Sequence, residues 1–208
     1  INKYDGYKLT TYKNNVESGL LTSNRVRTIA EDAKKNLWIG TDKGITIYKI
    51  SQEKFIKTTT NTTGKKDSEE PIIRKIFISR KSDKIYCLTE GKGILLFNDD
   101  YKLLNQFIPL VNKGESLTFF DALELENNNI IFTTSNGLYE FDVQKNDFKK
   151  ILTSEVNYAT SIIKLNATSF LITLLNGVGV VCYNKENKTF TLTSTLLIKE
   201  QFNTASID

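Results

Sequence analysis

At 208 residues with 39% hydrophobic side chains, the chain is long enough to bury a sizeable core, and its 28 basic and 24 acidic residues, interspersed for a net charge of +4, argue against a one-sided basic surface for nucleic acid. It contains no histidine, which excludes a phosphoacceptor histidine and a Ser/His/Asp triad within it and leaves zinc and other cofactors unexpected. No apolar run is long enough to cross a bilayer; with no signal-type segment and no methionine, the chain is expected to be a mature or excised piece.

Residues 1–5, Ile1-Asn2-Lys3-Tyr4-Asp5, read as the end of a repeating unit that then recurs along the chain. In its first full copy, Val26-Arg27-Thr28-Ile29-Ala30 is followed by Leu37-Trp38-Ile39-Gly40-Thr41, a glycine turn, Gly44-Ile45-Thr46-Ile47-Tyr48, and a more polar run over residues 54–58. The second copy holds Ile73-Arg74-Lys75-Ile76-Phe77, Ile85-Tyr86-Cys87-Leu88-Thr89 and Gly93-Ile94-Leu95-Leu96-Phe97; the third holds Phe119-Phe120-Asp121-Ala122-Leu123, Ile130-Ile131-Phe132-Thr133-Thr134 and Gly137-Leu138-Tyr139-Glu140-Phe141. In the fourth, Ala159-Thr160-Ser161-Ile162-Ile163 and Phe170-Leu171-Ile172-Thr173-Leu174 precede Gly179-Val180-Val181-Cys182-Tyr183. The glycines Gly44, Gly93, Gly137 and Gly179 lie 49, 44 and 42 residues apart and share the pattern glycine, aliphatic, any, any, aromatic. On this alignment Tyr86, Ile131 and Ile172 stand where the first copy has Trp38.

The runs are short, β-branched and aromatic, and are bounded by Asn, Asp, Gly and Lys clusters, so they predict strands. Four strands per unit predict an all-β fold, a β-propeller of four-stranded antiparallel blades. Apolar runs such as Ile130-Ile131-Phe132 suit inner strands packed on both faces, whereas Lys54-Phe55-Ile56-Lys57 alternates as an outermost strand should. Blades are expected at residues 21–58, 72–107, 117–152 and 158–193, with 1–20 ending a preceding blade and 203–208 starting another. Propellers close with about four to eight blades. Residues 1–208 are therefore expected to form one fragment of a larger propeller, with seven blades a candidate count.

The segment Leu21-Thr22-Ser23-Asn24-Arg25-Val26-Arg27-Thr28-Ile29-Ala30-Glu31-Asp32, continued by Asn36-Leu37-Trp38-Ile39-Gly40-Thr41-Asp42-Lys43-Gly44-Ile45, resembles the two-component regulator propeller repeat; Tyr4-Asp5-Gly6 resembles the end of such a repeat. The later copies lose the Asn-Leu-Trp-Ile-Gly-Thr signature and keep the period. The resemblance implies the periplasmic sensor region of an inner-membrane hybrid two-component histidine kinase and response regulator of Bacteroidetes. In that family paired propellers and a β-sandwich precede a membrane span, and many members control glycan use by phosphorelay. Implied partners are an oligosaccharide or other small ligand, the remaining propeller and sandwich domains of the same polypeptide, and a second copy in a homodimer.

No catalytic residue is assigned. The carboxylate pairs Glu31-Asp32, Glu69-Glu70 and Asp99-Asp100 are the available acid/base candidates, but each lies in or beside a turn, where acidic residues serve the backbone and solubility. Cys87 and Cys182 fall two blades apart in apolar strands and read as buried free thiols. Trp38, Tyr48, Phe97, Phe141 and Tyr183 recur at one register, as packing between blades requires.

Ligand contacts are expected in loops at one rim, where the outer-to-inner connections and the second-to-third strand turns meet. Those places hold Asn24, Arg25, Asp42, Lys43, Glu90, Lys92, Glu115, Ser135, Asn136, Tyr158 and Asn176, with Arg27 and Arg74 at equivalent positions of two innermost strands. Amides and carboxylates suit sugar hydroxyls, and guanidinium groups suit sulfate or carboxylate. A protein-interaction propeller and a propeller glycosidase or lyase remain as alternatives.

Overall fold

The computed structural model describes residues 1–14, 20–60, 69–109, 115–152 and 156–197; the expected strand start at 203–208 lies outside them. After a short antiparallel pair, β1 (Asn2–Tyr4) and β2 (Leu9–Thr11), come four four-stranded sheets. The first blade is β3 (Val26–Glu31), β4 (Leu37–Thr41), β5 (Gly44–Lys49) and β6 (Lys54–Lys57), with a 3-10 turn at Ile50–Gln52. The second is β7 (Ile73–Ile78), β8 (Ile85–Thr89), β9 (Ile94–Phe97) and β10 (Leu103–Phe107), and the third is β11 (Phe119–Glu124), β12 (Ile130–Thr134), β13 (Gly137–Asp142) and β14 (Asp147–Ile151). The fourth is β15 (Ala159–Lys164), β16 (Ser169–Leu174), β17 (Gly177–Asn184) and β18 (Thr189–Leu197). Each sheet is an antiparallel meander, with strands adjacent in sequence adjacent in the sheet. The fold is an all-β propeller.

The blades join through apolar seams. Trp38, Ile45 and Ile47 of the first blade pack with Ile73, Ile85, Leu95 and Phe97 of the second. Tyr86, Leu88 and Leu96 meet Phe119, Phe132 and Phe141 across the next seam, and Leu125, Ile131 and Leu138 meet Ile162, Phe170 and Val181 across the third. Each such side chain contributes about 1.5–3 kcal/mol on burial, which is why these strands carry large apolar groups on both faces. The β1–β2 pair leans on the outer part of the first blade through Tyr12, whose ring lies 5.9 Å from Tyr48 and 5.0 Å from Phe55.

Inner strands are also tied by polar side chains at one recurring position. Thr28 Oγ1 accepts a 3.4 Å bond from the Ile76 N–H, Lys75 Nζ lies 2.8 Å from Asp121 Oδ1, and Asp121 Oδ2 accepts from Ser161 Oγ at 2.9 Å and the Ile162 N–H at 3.2 Å.

The fourth blade departs from the register expected of it. Its turn glycine is Gly177, paired with Leu174 as Gly137 is with Thr134, while Gly179 sits inside β17 opposite Ile172. Leu171, opposite Val180, therefore takes the place of Trp38, and Val181 takes that of Phe141. The Gly-Val-Gly stretch offered two glycines; because β17 runs on to Asn184, the aromatic Tyr183 selected the wrong one.

Cys87 is buried and Cys182 is only partly buried, which corrects the expectation of two buried thiols. The Cys182 strand lies on the outer half of its sheet, where Ser169 Oγ and Thr193 Oγ1 stand 3.4 and 3.6 Å from the sulfur. These hydroxyls, Ser169 foremost, lower the Cys182 pKa, and burial raises that of Cys87. In native protein one of the two thiols should react with a disulfide reagent and the other only after denaturation; because a lowered pKa keeps thiolate present further into acid, the fast phase should persist below the pH at which an ordinary thiol slows. Two equal native-state phases would contradict this.

Candidate functional site

The propeller builds its candidate recognition face from a backbone irregularity repeated four times. The first two strands of every blade slip register at the second residue of the inner strand: between Val26 and Thr28, Ile73 and Lys75, Phe119 and Asp121, and Ala159 and Ser161. The extra residues are Arg27, Arg74, Phe120 and Thr160. A bulge frees its residue from ladder pairing and re-aims its side chain, so these four form a row in blade order at one mouth of the propeller.

The neighbouring turns close on the same end. Thr41, Thr89 and Thr134, each fully buried, donate to the carbonyls of Gly44, Gly93 and Gly137 at 3.1, 2.6 and 2.9 Å. Gly137 has φ +87°, and a Cβ there would stand 2.2 Å from the Val156 carbonyl oxygen; the turn requires glycine. Backbone bonds from Asp42 to Arg25 and from Glu90 to Ile72 clip the turns to the starts of the inner strands.

This geometry brings five of the expected residues together. Asp42 takes the Nε groups of both Arg25, at 2.9 Å, and Arg27, and Arg74 pairs with Glu90 at 2.5 Å. Arg27 foremost, with Arg25 and Arg74 behind it, holds the Asp42 carboxyl below the usual carboxylate range. Asn24, Arg25, Val26, Arg27 and Arg74 line an open depression of about 520 Å³. Beyond it, the Arg74 guanidinium lies 5.9 Å from the centre of the Phe120 ring, and Phe120 lies 5.4 Å from Tyr158.

The other expected residues are placed differently. Asn24 brackets the backbone of Asn14, accepting from its N–H at 2.7 Å and donating to its carbonyl at 3.2 Å. Lys43, Lys92 and Asn176 are exposed at turn tips. The Ser135 hydroxyl accepts from the Thr118 N–H. Glu115 and Asn136 belong to a separate groove of about 540 Å³ between the second and third blades, shared with Gln106, Tyr139, Phe148 and Lys150. Lys150 Nζ donates to Asn136 Oδ1 at 2.6 Å, and burial, with Glu115 beside it, raises the Tyr139 pKa. Phe120 was missed by sequence reasoning, although its repeat equivalence with Arg27 and Arg74 marks it.

The carboxylate pairs have structural partners. Asp99 and Asp100 hold Lys34 at 2.9 and 3.1 Å, and Glu70 accepts from the Thr60 hydroxyl. Among the described residues no group of three or more His, Cys, Asp or Glu could hold a metal ion.

The family model described as two component regulator propeller matches residues 20–43. The chain carries a two-component regulator propeller repeat. Within that regulator propeller repeat, Asp32 organises the turn before β4: its carboxylate accepts from the Asn36 N–H at 2.8 Å and from Trp38 Nε1 at 3.0 Å, and Asn36 Nδ2 reaches across the seam to Tyr101 Oη at 2.9 Å.

Among solved structures, the chain is similar to one described as the extracellular domain of the hybrid two component system BT3049 from B. thetaiotaomicron (22% identity, TM-score 0.65, 88% of this chain and 24% of that one). It is similar to the corresponding domain of BT4673 from B. thetaiotaomicron (17% identity, TM-score 0.69, 92% and 27%). It is also similar to PorZ, described as a surface component of the type-IX secretion system of Porphyromonas gingivalis (13% identity, TM-score 0.68, 96% and 31%). At these identities the likeness is one of fold, and the chain spans between 24% and 31% of the length of these relatives. No curated protein sequence matches it.

Proposed function

We propose that this chain is part of the extracytoplasmic sensor region of a hybrid two-component system anchored in the inner membrane, and that its rim recognises a glycan or oligosaccharide. The observation that carries the reading is the two component regulator propeller repeat at residues 20–43. The fold shared with extracellular domains of hybrid two-component systems supports it, as does the gathering of Arg25, Arg27, Asp42, Arg74 and Glu90 at one mouth. The reading gives this chain a binding role and leaves kinase chemistry to other parts of the polypeptide.

In this mechanism the ligand favours one arrangement of a sensor homodimer and so biases a cytoplasmic kinase and its phosphorelay toward genes for polysaccharide use. The ligand must bind the two arrangements unequally, because equal affinity shifts nothing. Calorimetric titration of the complete extracytoplasmic region against plant, host and fungal oligosaccharides, neutral and acidic, tests the reading. Saturable heat with one glycan class is expected; silence across the panel would overturn it.

One observation favours a protein contact in addition. Ile163, Leu165, Leu175 and Leu196, spread along the fourth blade, are 51–73% exposed, and covering them with a partner would remove apolar surface from water. The remaining blades of the same polypeptide are the proposed partner. Silence in the titration together with tight binding of the remaining extracytoplasmic segments would make the chain a scaffold.

A further inference from the structure

We infer that the rim contains a subsite for an oxyanion carried on a sugar ring, the carboxylate of a uronic acid or a sulfate ester, with Arg25, Arg27 and Arg74 facing the anion and Phe120 and Tyr158 forming the shelf for the ring. This rests on the glycan-sensor reading and narrows it to acidic glycans.

Charge selects the anion. Three guanidinium groups are met here by two carboxylates, Asp42 and Glu90, which leaves one positive charge in excess. Arg25 and Arg27 both reach Asp42 through Nε, a pairing that uses one of five donors on each group. Arg74 Nε is buried without a hydrogen-bond partner, although a buried donor left unpaired costs about 1–3 kcal/mol. An oxyanion in the depression would accept from the guanidinium N–H groups that Asp42 and Glu90 leave over, in the bidentate manner that guanidinium favours.

Preorganisation points the same way. The side chains of Arg27 and Arg74 are only 27% and 31% exposed, because the bulge sets their direction and the rim acids hold their ends. Little rotamer entropy remains to be lost when a ligand arrives. The depression of about 520 Å³ falls within the range of small-ligand sites.

The aromatic pair selects a ring. Phe120 follows Arg74 in the row of bulge residues and lies under its guanidinium, with Tyr158 5.4 Å beyond; both rings are half-buried. An anionic substituent on Arg74 would thus place the body of its sugar toward an aromatic surface. An acidic peptide would satisfy the charge and leave the shelf without a matching part.

The test is calorimetric titration of the chain at fixed ionic strength with a galacturonate tetrasaccharide, its carboxyl-reduced counterpart, a sulfated tetrasaccharide, its desulfated form and an oligoglutamate peptide. At least one acidic sugar should bind about tenfold or more tighter than its neutral counterpart, the worth of charge-assisted hydrogen bonds; which one does so distinguishes carboxylate from sulfate. Arg74→Gln should reduce that preference to about twofold or less, and Glu90→Gln, which removes a competing carboxylate, should strengthen acidic binding several-fold, roughly the effect of one charge about 4 Å away screened by bulk water. The opposite sign of the two variants separates recognition from misfolding, and far-UV circular dichroism checks the fold of each. Equal binding of acidic and neutral sugars would overturn the subsite and leave the sensor reading standing. Absence of binding by every sugar in this set would overturn the subsite and leave the sensor reading to the broader panel, and binding of the peptide alone would overturn the sugar assignment.

Discussion

Replacing Trp38 by alanine should lower the stability of the chain by about 3–5 kcal/mol, the range for deleting a large buried aromatic side chain. Trp38 is fully buried, its ring lies 5.5 Å from Phe97 and 5.8 Å from Tyr101 of the second blade, and the seam it fills is the apolar contact between two sheets. The loss has a second part. Trp38 Nε1 donates to Asp32 Oδ2, and Asp32 is 6% exposed, so the truncation takes a donor from a buried carboxylate as well as leaving a cavity. Trp38→Phe separates the two, because it restores most of the volume without the N–H; it should cost about 1–3 kcal/mol, the penalty for a buried polar group losing its partner. Trp38 is the single tryptophan, so unfolding in urea is best followed by far-UV circular dichroism. A loss below about 1 kcal/mol for Trp38→Ala would mean that the seam repacks and that this contact does not hold the first two blades together.

The same tryptophan shows why the fold was legible. Its signature, the 44-residue spacing from Gly93 to Gly137 and the contrast between Ile130-Ile131-Phe132 and Lys54-Phe55-Ile56-Lys57 are all statements about burial. Burial is what a hydrophobic pattern encodes. Register is encoded less well. Gly177 and Gly179 are equally permissive as turn residues, and only the ladder, with Gly177 opposite Leu174, distinguishes them. The candidate site was legible in part for a related reason. Arg27 and Arg74 could be matched by their place in the repeat, but the bulge that aims them changes pairing and leaves composition untouched, so nothing in the composition of Phe119-Phe120-Asp121 marks Phe120 as a rim residue. Glu115 and Asn136 share an expected rim with Arg25, yet they line the groove shared with Tyr139 and Lys150. Assigning a residue to a loop at one end of a blade fixes its height and says nothing of whether it faces the axis or the outer wall.

Replacing Asp121 by alanine should be the most disruptive change near the axis, at about 2–4 kcal/mol. Its carboxylate is nearly buried, with the residue 8% exposed, and it joins three blades: Lys75 from the second, its own inner strand in the third, and Ser161 and the Ile162 N–H from the fourth. Removing one member of a buried ion pair costs about 3–5 kcal/mol. Here the Lys75 side chain is 44% exposed and regains water, so the lower range applies; what water does not readily restore is an acceptor for the Ile162 N–H. Asp121→Asn keeps an acceptor and gives up the charge, and should cost about half as much. Ser161→Ala combined with Asp121→Ala should be less than additive, because both remove the same bond. Hydrogen exchange gives the decisive reading: the Ile162 amide should be strongly protected in the parent chain and lose protection in Asp121→Ala beyond the average of the blade. Retained protection would place the coupling of these blades in the apolar seam alone. Loss confined to β15 would show that the carboxylate secures the inner strand of the fourth blade locally, while loss reaching β11 as well would show that it couples the inner strands of both blades.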